Sequence, residues 1–323
     1  MKILFVHRQD FRGFIRTDYE LLSRYFDVTC FHFKGLKSIP LLFWEMRKHD
    51  LIFVWFISLH AFFTCFSRKP KVFVAGGYDV AFVPSINYGL SNNRLTRWMV
   101  SFCLNHASCV LSVSHFNNKE IIDNFNYNSP VLVYNCADDG FFKPDGVKND
   151  NLVITVGNVN SKTWVKKGIS RFIEVAKYCN LISLPFRFVV VGRISDDVEG
   201  KVDRIVSGTP NLSFTGFVSD EELRSWYQKA KVYLQLSKHE SFGVSVVESM
   251  LFDCIPVVSD KAALPEVVYD SGFIVDPSNI SNVADAVISA SRCTDSYCDF
   301  ACRRFGLNVR GDCLKSIVEG VCI

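Results

Sequence analysis

The chain has 323 residues, length for about two domains of ~150 residues. Hydrophobic residues at 49%, aromatics at 14% and charged residues at 21% exclude a disordered, fibrous or coiled-coil chain. A net charge of +3 is too balanced for a dedicated nucleic-acid binder, which would carry a strongly basic face.

The first half alternates short apolar runs with amphipathic stretches. Strands are expected at 3–6, 28–33, 51–56, 72–75, 109–113 and 131–134, and helices at 14–25, 40–48, 58–66 and 93–105. β-rich runs alternating with helices imply a parallel, doubly wound sheet. Residues 143–151 are polar, with Pro, Gly and charge but no apolar period, and read as a linker. The rhythm then restarts, with strands at 152–156, 187–191, 212–215, 232–236 and 255–258 and helices at 169–178, 220–229 and 244–251, before a helical tail from Asn282. The expected division is 1–145, 151–295 and a helical tail, 296–323, that packs back on the first domain.

The N-terminus turns polar after six residues and lacks a signal peptide's apolar core. The most apolar run, 51–66, carries His60 and is shorter than the roughly 20 residues of a spanning helix. The expectation is a cytoplasmic protein, with peripheral membrane contact left open. Twelve cysteines show no CxxC pair and no zinc spacing, and read as reduced core thiols.

In open α/β sheets, ligands bind beyond the carboxyl ends of the strands, so residues just after strands carry the reading. The most informative run is Ser237-Lys-His-Glu-Ser-Phe-Gly-Val-Ser-Val-Val-Glu248, which leaves a strand and opens a helix. Gly243 admits a ligand close to the backbone, and the helix start offers unpaired N–H groups to a phosphate. Glu240 and Glu248 then accept hydrogen bonds from sugar hydroxyls. A Glu near a helix start is otherwise usually a cap.

This segment resembles the signature of family-4 retaining glycosyltransferases: Glu, seven residues, Glu, with Phe-Gly after the first. Phe214-Thr-Gly216-Phe217, Ile255-Pro-Val-Val-Ser-Asp260 and Leu264-Pro-Glu-Val-Val268 resemble its flanks, and Asn135-Cys-Ala-Asp138 with Phe142-Lys-Pro144 resembles its domain border. The resemblance implies a GT-B fold of two Rossmann-like domains facing a cleft, the first on the acceptor side and the second on the donor side. It implies a nucleotide-sugar as co-substrate, no bound cofactor or metal, and a sugar or lipid-linked acceptor, as in polysaccharide biosynthesis. Glu240 would contact the donor sugar and Glu248 the ribose, with Ser241, Phe242, Gly243, Gly216 and Phe217 around them.

The family's Lys-Gly is matched by Lys167-Gly168, and Lys167 would neutralise the donor diphosphate. Its Gly-Arg becomes Gly157-Asn158, so Lys166, Lys162 in a loop, or Arg193 is expected to replace the missing cation. On the acceptor side, Gly13 stands where the family has a Gly-rich turn, and Asp79, after Gly76-Gly77, either binds substrate or caps a helix. Arg8, Arg12, Arg16, His7, His115 and His239 are lesser candidates. Two other readings stay open: a sugar-nucleotide-binding subunit without transfer activity, and a GT-B-like epimerase or phosphorylase.

Overall fold

Runs of Val, Ile, Leu and Phe without polar alternation build strands covered on both faces, as parallel sheets require. In the computed structural model, which describes residues 1–138 and 147–321, the chain divides into two α/β units. The domain-border residues Asp139, Phe142, Lys143 and Pro144 lie outside the described residues, as does Cys322.

The first unit holds Met1–Cys136 and Leu307–Ile323. Its elements are β1 (Lys2–His7), α1 (Gly13–Ser23), β2 (Asp27–His32), α2 (Ile39–Lys48), β3 (Leu51–Trp55), α3 (Leu59–Thr64), β4 (Lys71–Ala75), α4 (Arg94–His106), β5 (Cys109–Ser112), α5 (His115–Phe125) and β6 (Val131–Leu132). The apolar run at 51–66 is therefore a strand and a short helix. All pairings are parallel, in the order β2-β1-β3-β4-β5-β6, so the order reverses between β1 and β3. Every residue of β3 and β4 is buried.

The second unit, Ala137–Gly306, repeats the plan. It contains β7 (Asn149–Val156), α6 (Ser161–Lys166), α7 (Ile169–Leu181), β8 (Arg187–Val191), α8 (Glu199–Ser207), β9 (Leu212–Phe214), α9 (Asp220–Lys229), β10 (Ala230–Gln235), α10 (Val244–Leu251), β11 (Ile255–Ser259), α11 (Leu264–Val268), β12 (Phe273–Val275), α12 (Ile280–Arg292) and α13 (Cys298–Phe305). The parallel order β12-β11-β10-β7-β8-β9 reverses between β7 and β10. Such a reversal leaves a crevice at the strand ends, the usual ligand position in this fold class. The linker reading is corrected at its end, because Asn149 already pairs with Ala230 in the sheet.

The last helix, α14 (Leu307–Val321), belongs to the first unit. Arg310 reaches from it into the core, pairs with Asp18 through Nε at 2.5 Å and Nη2 at 2.7 Å, and donates to the carbonyls of Val133 and Tyr134. Asp18 also accepts from Trp55 Nε1 at 2.8 Å. Both charges are almost fully buried, so each depends on the other.

Candidate active site

The second unit gathers the site where β7 and β10 part. Two glycines set its geometry. Gly168 opens α7 at φ +71, and a Cβ there would stand 2.0 Å from the Leu236 carbonyl oxygen. Only glycine lets the α6–α7 turn lie directly on the end of β10, and the Lys238 amide staples it by donating to the Lys166 carbonyl at 2.8 Å. Gly243, at φ +104, opens α10, where a Cβ would press on Leu264.

This close approach puts Lys167 Nζ 2.7 Å from Glu240 Oε2. The side chains are 23% and 14% exposed, so water competes weakly for the pair. Burial alone raises the Glu240 carboxyl, but Lys167 and Lys166 together outweigh it and hold the group below its ordinary value. Glu240 is therefore an anion around neutral pH. Glu240 sits in the loop between β10 and α10, and it is held by the protein itself: it carries the lysine, and Gln235 Nε2 donates to the same oxygen at 3.1 Å.

Gln235 escaped the sequence reading. Its Nε2 also donates to Ser237 Oγ at 3.2 Å, while its Oε1 accepts from Tyr233 at 2.8 Å and Ser245 at 3.1 Å. All four bonding positions of the amide are used. Flipping it would set its carbonyl oxygen against the Glu240 carboxylate, so the network fixes one orientation. Val232, Leu234 and Leu236 face the core, whereas Tyr233, Gln235 and Ser237 share the opposite face. That polar period of two, within an otherwise apolar buried strand, was the missed signal. Gln235→Leu should lower kcat about 10- to 100-fold, roughly 1.5–3 kcal/mol of charged hydrogen bond, and move KM for donor less. Wild-type steady-state kinetics in the variant would remove Gln235 from the site.

Glu248 lies on α10 one turn into the helix, where Tyr227 donates to its Oε2 at 2.9 Å. Burial, with Asp220 adding to it, pushes its carboxyl up to about 7. Ser241 and Phe242 are buried between the two glutamates, with Phe242 edge-on to Phe305 of α13 at 5.3 Å. His239 is buried, and its positive form would help hold Glu240 down.

Asn158 is exposed after β7. Its neighbour Val159 bonds the loop after β8 twice, accepting from Ser195 at 2.9 Å and donating to the Arg193 carbonyl at 2.8 Å. Exposed Arg193 thus emerges beside the position the family fills with arginine. Lys166 acts electrostatically on Glu240. Lys162 does not lie in a loop. It is the second residue of α6, held by the Asn160–Thr163 capping box that the helix start required. Gly216 follows β9 and bridges to Gly192, and Phe217 beside it is 77% exposed.

The acceptor-side candidates fall in the first unit. Gly13 is exposed as the first residue of α1. Asp79 caps no helix. It is buried, accepts from the amides of Ile57 at 2.8 Å, Gly77 at 2.8 Å and Gly76 at 3.4 Å, and burial pushes its carboxyl up to about 6. It ties the end of β3 to the end of β4. His7 is buried, with its ring stacked on His32 at 4.8 Å, and burial lowers its basicity. Ser114 caps α5 by accepting from the Asn117 amide, which leaves His115 exposed on the first turn. Arg8, Arg12 and Arg16 are exposed, the last paired with Glu20. Among the described residues, no three His, Cys, Asp or Glu side chains come together as a metal site would need.

Residues 138–303 match the family model described as glycosyl transferases group 1, just over half of the chain. The chain belongs to that family. Among its relatives, an uncharacterized 41.2 kDa protein in the cps region of Klebsiella pneumoniae is 26% identical over 66% of this chain and 61% of its own length. The O-antigen chain mannosyltransferase B of Escherichia coli is 24% identical over 62% of this chain and 56% of its own. The group 1 chain therefore spans less than two thirds of these relatives' lengths. Its fold is that of GT-B glycosyltransferases: Anabaena HepE, solved with UDP and glucose, superposes with a TM-score of 0.77 at 16% identity, covering 99% of this chain and 100% of that one. The lipopolysaccharide outer core galactosyltransferase WaaB superposes with 0.71 at 13% identity, over 99% of each chain.

Proposed function

We propose that this chain is a retaining glycosyltransferase that moves a sugar from a nucleotide-sugar to a glycan or lipid-linked acceptor in polysaccharide synthesis. The observation that carries this reading is the Lys167–Glu240 pair, braced by Gln235, with Glu248 one turn into the helix α10 that follows. Lys167 and the start of α10 receive the diphosphate. Glu240 and Glu248 orient sugar and ribose through their hydroxyls, and Arg193 supplies the charge that Asn158 lacks. Phe217 and Gly216 border the nucleoside, and the first unit takes the acceptor, with Asp79 and Gly13 on that side.

The bond from the anomeric carbon to the phosphate oxygen breaks, and the acceptor oxygen bonds to that carbon on the same face. The acceptor's proton passes to the leaving phosphate oxygen, so no protein nucleophile is required. Lys167 stabilises the charge gathering on the diphosphate, the role that fixed cations and dipoles play best in a site poor in water. Several relatives are named for GDP-mannose, including the GDP-mannose:cellobiosyl-diphosphopolyprenol alpha-mannosyltransferase of Xanthomonas campestris. GDP-mannose is therefore the first donor to test, ahead of UDP-hexoses.

The test is release of nucleoside diphosphate from each nucleotide-sugar in the presence of polyprenyl-diphosphate-linked oligosaccharides. One donor should turn over, and EDTA should leave its rate within about twofold, since Lys167 and the α10 start carry the phosphate charge. No turnover of any donor would return the reading to a binding subunit. Loss with EDTA, restored by manganese, would refute the charge assignment.

A further inference from the structure

We propose that the outer face of α3 and α4 in the first unit is a docking surface for an anionic lipid bilayer. The proposal stands apart from the transfer reading, because it rests on a surface rather than on the strand ends.

The inner side of α4 is ordinary core: Val100, Cys103 and Leu104 are buried. Its outer side carries Leu95, 71% exposed, and Trp98, 57% exposed. Trp98 is one rung of a continuous aromatic ladder that crosses to α3. Its ring lies 5.8 Å from Phe102 and 6.0 Å from Phe62, and Phe62 lies 5.4 Å from Phe66, which is 58% exposed just after α3. Phe62 and Phe102 are half-buried, while Trp98 and Phe66 at the two ends are exposed, an arrangement costly in water. Scattered exposed apolar residues are normal, but contiguous ones mark an interaction surface.

Charge selects the occupant. From residue 51 to residue 119 the chain carries six lysines and arginines against one acidic residue, Asp79, and the exposed Asp50 just before this stretch lines one pocket with Arg68 and Lys69. Asp79 is buried on backbone amides, so it presents no negative charge at the surface. Arg94 is exposed on the first turn of α4, four residues before Trp98, and Arg68 is exposed two residues after Phe66. A second copy of the chain would bring the same positive face against itself. An anionic membrane offers the complement: Trp and Phe settle at the boundary of headgroups and acyl chains, while arginines meet lipid phosphates. Each basic side chain near such a surface adds attraction that salt screens. Among the described residues no helix is long and apolar enough to cross a membrane, so this contact is one of lying on the surface.

The experiment is co-sedimentation of the intact chain with vesicles of phosphatidylglycerol and phosphatidylethanolamine, compared with phosphatidylcholine alone. The wild type should bind the anionic vesicles at least tenfold more tightly and release with rising salt. The double variant F66S/W98S should lose at least tenfold in partitioning, and R68E/R94E should lose binding at low salt. Tyr269→Ser, which removes an exposed aromatic of the second unit, should bind as the wild type does. Circular dichroism checks that each variant keeps its fold, which surface positions permit. Equal binding to both vesicle types, no binding at all, or undiminished binding by both double variants would overturn the proposal. So would a concentration-dependent dimer that F66S/W98S abolishes, which would assign the face to a second copy.

Discussion

Lys167→Ala should lower kcat/KM by about 10²–10³, on the order of 2.7–4 kcal/mol for one preorganised group that meets charge in the transition state. The variant loses more than a cation. In the wild type, Lys167 is the largest of the charges that offset the burial pushing Glu240 up. Without it, the partly buried carboxyl at position 240 protonates at a higher pH. The sign follows: on acidification, residual activity of Lys167→Ala should fall in a step that lies at higher pH than any step Glu240 gives in the wild type, whose carboxyl is held below its ordinary value. Glu240→Gln should cost a similar factor and abolish that step. Adding Lys167→Ala to Glu240→Gln should cost much less than the product of the two, because the pair acts as a unit. Losses that multiply would mean that lysine and glutamate work independently.

Arg310→Met should destabilise the first unit by about 3–5 kcal/mol, because it leaves the Asp18 carboxylate buried against Trp55 without its partner. It also strips the carbonyls of Val133 and Tyr134 of a donor. The double variant Asp18→Asn with Arg310→Met should recover a substantial part of the loss, since removing both charges is far less costly than removing one. Urea unfolding followed by Trp fluorescence measures both. A loss below about 1 kcal/mol in the single variant would show that α14 is held by its apolar face and that the pair is incidental.

Much of this architecture was legible because its signals were local. Val, Ile and Phe runs of strand length, broken by turns, placed every strand from β1 to β11, and the helices α9 and α10 begin and end where they were expected. The Glu240 to Glu248 segment was legible for a related reason: strand, glycine and helix start are consecutive in sequence. What depended on chain crossing was not. The helix α8 is short and carries Gly200 in its first turn, and it was not expected even though Val202, Ile205 and Val206 fall at helical spacing on its core side. Lys162 was placed in a loop because the α6 cap, Asn160 with Thr163, was not read as one. Gln235 and Tyr227 meet Glu240 and Glu248 from β10 and α9, and no spacing in the sequence announces either contact. Glu240's partner lies 73 positions upstream, and it is the forced approach at Gly168 that brings the two together.

The central claim is that the second unit receives a nucleoside diphosphate through Lys167, with Glu248 on the ribose. Calorimetric titration of the intact chain with GDP, UDP and ADP tests it most directly, repeated with the matching nucleosides and with Lys167→Ala and Glu248→Ala. One diphosphate should bind. Lys167→Ala should weaken that diphosphate at least tenfold while changing its nucleoside little, and Glu248→Ala should weaken both. If no nucleoside diphosphate binds, or if Lys167→Ala binds it as the wild type does, the assignment of this site is wrong.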